Sequence, residues 1–156
     1  MSTMIAQRDA AMKSLETPPR PVFSTVIPTR WSDMDADGRV NNLVILRFAE
    51  EARMQWAASL ELAQIAPDLM PVVATVGADF LSPIPYPCDL IVDIRSRRLG
   101  NSSLDLGFDI ADSVSTGRLY ARACATWVWL DKRTSRPAPM PQSLREHCES
   151  FMTHAD

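Results

Sequence analysis

The chain has 156 residues, enough for one domain with its own core. Its 16 Lys and Arg against 19 Asp and Glu leave a formal charge of −3 with no basic run, which argues against a nucleic-acid partner. No apolar stretch reaches the ~20 residues that span a bilayer, and the N-terminus lacks the apolar segment of a signal peptide. Cys88, Cys124 and Cys148 are odd in number and widely spaced, as expected of free thiols in a reducing compartment, so the expected location is cytoplasmic.

In residues 2–16, Met4, Ile5, Ala11, Met12 and Leu15 are spaced loosely as in a helix, and Pro18, Pro19 and Pro21 stop it. Residues 1–20 therefore read as an extension, helical and then proline-rich. It precedes a domain over 21–140 and a C-terminal helix and tail over 141–156. The domain opens on a strand over about 22–31, "VFSTVIPTRW", rich in β-branched and aromatic residues.

Next comes "SDMDADGRVNN", Ser32 to Asn42, which begins like a calcium-binding EF-hand loop. With Asp33 at position 1, Asp35, Asp37, Gly38 and Asn41 fall at 3, 5, 6 and 9. Position 12 is Val44, which has no ligand atom, and a strand rather than a helix precedes the loop. The count argues against calcium. Asp33 is expected to make an Asx-turn that shapes the loop, and Asp37 to be solvated.

A helix of about 16–20 residues follows. Val44, Ile45, Phe48, Ala49, Ala52, Trp56 and Leu60 recur at three- and four-residue steps, and Asn41 suits its N-cap. Glu51 is expected to pair with Arg47 one turn earlier. Four strands are predicted over about 72–81, 88–98, 103–111 and 118–130. In the last three, apolar residues alternate with others: Leu90, Val92, Ile94; Leu104, Leu106, Phe108, Ile110; Leu119 to Trp129. Turn signals at 99–102 and 114–117 make these three strands two consecutive hairpins. A short helix over about 142–152 ends the chain, and both histidines, His147 and His154, fall in this C-terminal region. It is expected to be mobile, which argues against a histidine-based triad. One apolar helix among so many strands can bury its face only against the sheet. The predicted class is α+β: a curled antiparallel sheet of about five strands wrapped around one long central helix.

The run "RWSDMDADGRVNNLVILRFAEEARMQW" resembles the signature of the 4-hydroxybenzoyl-CoA thioesterase-like acyl-CoA thioesterases, which have the hotdog fold. That signature is roughly D-x-D-x-x-G-H-V-N-N followed by a helix ending E-E-A-R. "FLSPIPYPCDLIVD", "RRLGNSSLDL" and "ATWVWLDKRTSRPAPMP" continue the resemblance to about residue 150. It implies hydrolysis of a coenzyme A thioester to a free carboxylate and CoA, with no cofactor beyond the CoA of the substrate. Asp35 is implied as the nucleophile or general base, and the backbone N–H of Asn42 as the oxyanion donor, with Gly38, Arg39 and Asn41 shaping the site. Arg39 stands where the family has His. Ile45 stands where it has Tyr and implies a more apolar acyl pocket.

Ser102 and Ser103, in a turn that lines the ligand channel in the family, are candidate substrate contacts. Arg97, Arg98 and Arg133 are candidate partners for the phosphates of CoA, against the plainer reading of solvated strand ends. Glu51 is a second candidate acid, because another hotdog class carries one on the central helix. The resemblance also implies a homodimer, possibly a homotetramer, with the site between subunits. A binding protein without turnover, a thioesterase acting on acyl-carrier protein, and a dehydratase or hydratase are the competing readings. The last is disfavoured because no histidine lies near the helix.

Overall fold

A computed structural model describes residues 19–114 and 117–152. The predicted helix over 2–16 and His154 lie outside the described residues. The elements in chain order are β1 (Phe23–Pro28), a 3-10 turn (Trp31–Asp33), α1 (Asn42–Ser59), α2 (Leu62–Ile65), β2 (Leu69–Phe80), β3 (Asp89–Leu99), β4 (Ser103–Asp112), β5 (Leu119–Asp131) and α3 (Gln142–Met152).

The strands form one antiparallel sheet in the order β1-β3-β4-β5-β2. The predicted α+β class and the two hairpins β3–β4 and β4–β5 match it. Two strand boundaries differ by more than one residue. β1 stops at Pro28 because the ladder breaks at Thr29, where the Cys88 N–H donates to the Thr29 hydroxyl at 2.9 Å in place of a backbone carbonyl. The next residues then close into the 3-10 turn. β2 begins three residues earlier than predicted because Leu69 and Met70 pair with Asp131 and Leu130, a long-range partner that local pattern does not reveal.

One face of the sheet is apolar. Leu90, Val92 and Ile94, Leu104 to Ile110, and Ala121 to Trp129 bury alternate side chains against Ile45, Phe48, Ala49, Ala52 and Trp56 of α1. Leu119 drops out of the predicted alternation. A register shift opposite Ile110 and Ala111 puts Tyr120 inside in its place. Trp56 joins three layers: its ring lies 6.3 Å from that of Trp127 on β5 and 6.1 Å from that of His147 on α3.

The C-terminal helix is therefore docked, contrary to the mobile end expected from its position in the chain. Leu144 and Cys148 are its buried residues. Burial pushes the Cys148 thiol up to about 11. The folded chain thus keeps a proton that the unfolded chain loses near pH 9. The resulting stability is complete below about pH 9 and is lost as pH rises through about 11. The gap in unfolding free energy between wild type and Cys148→Ala is expected to narrow over that window. Urea titrations at stepped pH would check it, and a constant gap would refute it.

Candidate active site

The aspartate loop is built by backbone bonds. Met34 bridges to Val40, the Asp35 N–H donates to the Arg39 carbonyl at 2.7 Å, and the Gly38 N–H donates to the Asp35 carbonyl at 3.2 Å. Gly38 has φ +74°, a left-handed conformation that a side chain would disfavour. The Val40 N–H donates to Ile84 and the Asn41 N–H to Asp33, which ties the loop to the β2–β3 connection and to the 3-10 turn.

Within this frame the two D-x-D carboxylates divide their work differently from expectation. Asp35 makes the Asx-turn: its Oδ1 accepts from the Asp37 N–H at 2.9 Å and the Arg39 N–H at 3.2 Å. Asp33 is buried, and its Oδ2 reaches back to the Arg30 N–H at 2.8 Å, closing the 3-10 turn. Their oxygens are engaged by different backbone donors and do not converge as EF-hand ligands would. Among the described residues no group of three or more His, Cys, Asp or Glu is placed to hold a metal. Asp37 is exposed, as expected.

Asn41 caps α1. Its side-chain oxygen accepts from the Leu43 N–H at 2.9 Å, and its carbonyl accepts the first helical N–H groups, from Val44 and Ile45. The N–H of Asn42, the first residue of the helix, has no protein acceptor among the described residues. It is a free donor at the positive end of an 18-residue helix. Asp35, Arg39, Asn41, Asn42 and Ile45 line one open cleft of about 440 Å³, and Gly38, which turns the loop, is not among its lining residues. The opposite wall, Phe80 to Ile84, was not predicted to take part. The available signal was the run "FLSPIPYP", whose apolar residues and prolines suit a rigid wall better than a solvated loop.

Arg39 meets Asp35 through its backbone and forms no ion pair with it among the described residues. Glu51 lies 3.7 Å from Arg30 and not against Arg47, because the loop folds back over the helix and brings a distant arginine to it.

The remaining candidates lie elsewhere in the chain. Ser103 pairs with Val128, whereas the cleft wall hangs from the Tyr120 carbonyl. Eight residues of β5 separate them, roughly 26 Å of strand. Arg98 bonds Asp105 at 3.1 Å, and Arg97 lies over Gly107, where a Cβ would fall 2.6 Å from its Nε. Ser102 and Arg133 belong to the same far end: the Ser102 carbonyl accepts from Trp129, and the Arg133 N–H donates to Asp131. A single chain does not bring Arg97, Arg98, Ser102, Ser103 or Arg133 to Asp35.

The family model described as the thioesterase-like superfamily matches residues 29–148. The chain belongs to the thioesterase-like superfamily. Among solved structures, a candidate thioesterase, the PA2801 protein of Pseudomonas aeruginosa, is 31% identical with a TM-score of 0.76, over 81% of this chain and 98% of that one. A thioesterase of Thermus thermophilus, solved in complex with coenzyme A and Zn, is 30% identical with a TM-score of 0.70, over 84% and 95%. A 1,4-dihydroxy-2-naphthoyl-CoA thioesterase of Synechocystis shares the fold at 22% identity and a TM-score of 0.74, over 83% and 97%. The uncharacterized protein YsmA of Bacillus subtilis is 29% identical over 87 residues, 55% of this chain and 58% of YsmA, so the match spans little more than half of that curated relative. This superfamily member thus has the hotdog fold that its sequence implied. No helix among its described residues is long and apolar enough to cross a membrane.

Proposed function

We propose that the chain hydrolyses acyl-CoA thioesters at the cleft beside Asp35. One observation carries this reading: a carboxylate oriented by two N–H groups lines the same cleft as the free N–H at the start of α1. Oδ1 of Asp35 is engaged, and Oδ2 accepts nothing from the described residues. Oδ2 either attacks the thioester carbonyl or takes a proton from the water that does. The carbonyl oxygen, as it becomes an oxyanion, accepts from Asn42. The acyl–sulfur bond breaks, an acyl–oxygen bond forms, and the thiolate of CoA leaves and is protonated. In the nucleophilic route water then hydrolyses the acyl–Asp35 anhydride. CoA as the carrier is supported by the relative at 30% identity that was solved with it. Thiol release from a panel of acyl-CoAs, aliphatic to aromatic, tests the reading. Ligand binding without thiol release from any member would replace it with the binding-protein reading.

The same proposal includes a homodimer. Among the described residues β2 pairs on one side only, with β5, and Val73, Val76 and Phe80 along it are exposed, an edge that proteins ordinarily cover. Antiparallel pairing of β2 across a two-fold axis sets opposite strand ends side by side. It would carry the partner's Arg133, with the hairpin beside it, toward this chain's Asp35. Light scattering at micromolar concentration is expected to give twice the chain mass, and Val76→Lys, which puts a charge on that edge, to shift it toward the monomer. A monomeric wild type would remove the shared site.

A further inference from the structure

Past the cleft, α1 and β2 flank a further space with its own lining residues. Asn42, Leu46, Ala49 and Arg53 follow at steps of four, three and four residues, so they share one face of the helix. A second cavity of about 230 Å³ extends along this face. Leu46, Ala49, Val73, Val76, Phe108 and Ala125 give it apolar walls, and Arg53 lines it with them.

A guanidinium is an unusual group in such a wall. Arg53 is only 8% exposed. Its guanidinium carbon sits 5.0 Å from the centre of the Trp127 ring, and it makes no hydrogen bond or ion pair with a described residue. Burial pushes its pKa down, and the field of Glu50, an exposed residue that also lines the cavity, only opposes that. The guanidinium nitrogens open onto the cavity, so an acceptor that enters it meets a charge without a counter-ion. Trp127 covers one face of the guanidinium, which leaves its in-plane N–H groups for a planar acceptor. A carboxylate fits that fork through two parallel hydrogen bonds. Eleven residues of helix place the Arg53 backbone about 16 Å from the Asn42 N–H, on the same face.

We propose that Arg53 receives a carboxylate carried at the far end of the acyl group, so that the preferred substrates are ω-carboxyacyl thioesters. The proposal rests on the reading of the Asp35 cleft as the hydrolytic site. The apolar walls take the carbon chain, the Asn42 end takes the thioester, and Arg53 takes the distal anion. Glu50 weakens that anion's binding by like charge.

The test pairs hexanedioyl-, octanedioyl- and decanedioyl-CoA with hexanoyl-, octanoyl- and decanoyl-CoA. Wild type is expected to favour the carboxylated member of at least one pair by about 10–100-fold in kcat/KM, the range of a charge-assisted hydrogen bond. Arg53→Gln should abolish the preference while hydrolysis of the plain thioester persists, and Glu50→Gln should raise it. Hydrolysis of both members at equal rates by wild type overturns the proposal and leaves the thioesterase reading standing. If no thioester is hydrolysed, that reading fails, and calorimetry with octanedioic against octanoic acid on wild type decides Arg53 separately. Tighter binding of the diacid supports the site, and equal or absent binding overturns it. Loss of the preference in Arg53→Gln together with dissociation of the oligomer would assign Arg53 to a subunit contact and overturn the proposal as well.

Discussion

Asp35→Asn is expected to lower kcat/KM for thioester hydrolysis by about 10²–10⁴-fold, the range that a positioned acid–base group contributes. The substitution isolates charge from geometry. The asparagine oxygen can still accept from the Asp37 and Arg39 N–H groups, so the Asx-turn and the Gly38 loop survive. What is lost is an anionic oxygen able to attack a carbonyl or hold a proton. Thiol release, measured beside a circular-dichroism spectrum of each protein, checks the result. An unchanged rate in a folded variant would refute the role of Asp35, whichever of the two routes the enzyme uses. Retained binding of substrate with lost turnover would show in addition that the carboxylate acts on the transition state and not on affinity.

Trp56→Ala is expected to be the most damaging single change to stability, costing about 3–5 kcal/mol. Trp56 is 1% exposed and connects α1, β5 and α3 through Trp127 and His147. The cavity left behind would border three layers, none of which can close it alone, because each is tied elsewhere in the sheet or along its helix. Against a typical total of about 5–15 kcal/mol this is a large share. For a chain of this length the loss corresponds to a fall in Tm of roughly 6–20 °C. Trp56→Phe should cost far less. It keeps most of the contact area, and the indole N–H it removes has no protein acceptor. Denaturant titration of both variants measures the difference, and equal losses would show that the site tolerates no ring smaller than indole.

The site was unevenly legible in the sequence. The D-x-D spacing, the Asn41 cap and the helix start at Asn42 depend on neighbours within a few residues, so pattern alone located them. The Asx-turn expected of Asp33 is made by Asp35 instead, because either aspartate can cap a local N–H. Which one does so depends on how the 3-10 turn seats Asp33 under the chain. The pairing of Glu51 with Arg30 and the cleft wall at Phe80 to Ile84 join segments far apart in the chain, where no local rule reaches.

By itself the sequence determined the element order, the period-two strands, the apolar stripe of α1 and the loop that holds Asp35. Each follows from short-range sterics, capping and the alternation of apolar with polar side chains. Only the tertiary structure decided that β2 pairs with β5 and β1 with β3, leaving β2 as an apolar edge. It also separated Arg97, Arg98, Ser102, Ser103 and Arg133 from Asp35 by the length of a strand, and it buried Arg53 against Trp127. Burial and long-range pairing are properties of the packed sheet as a whole. A residue's own neighbours in the chain do not state which face it will show or what will cover it.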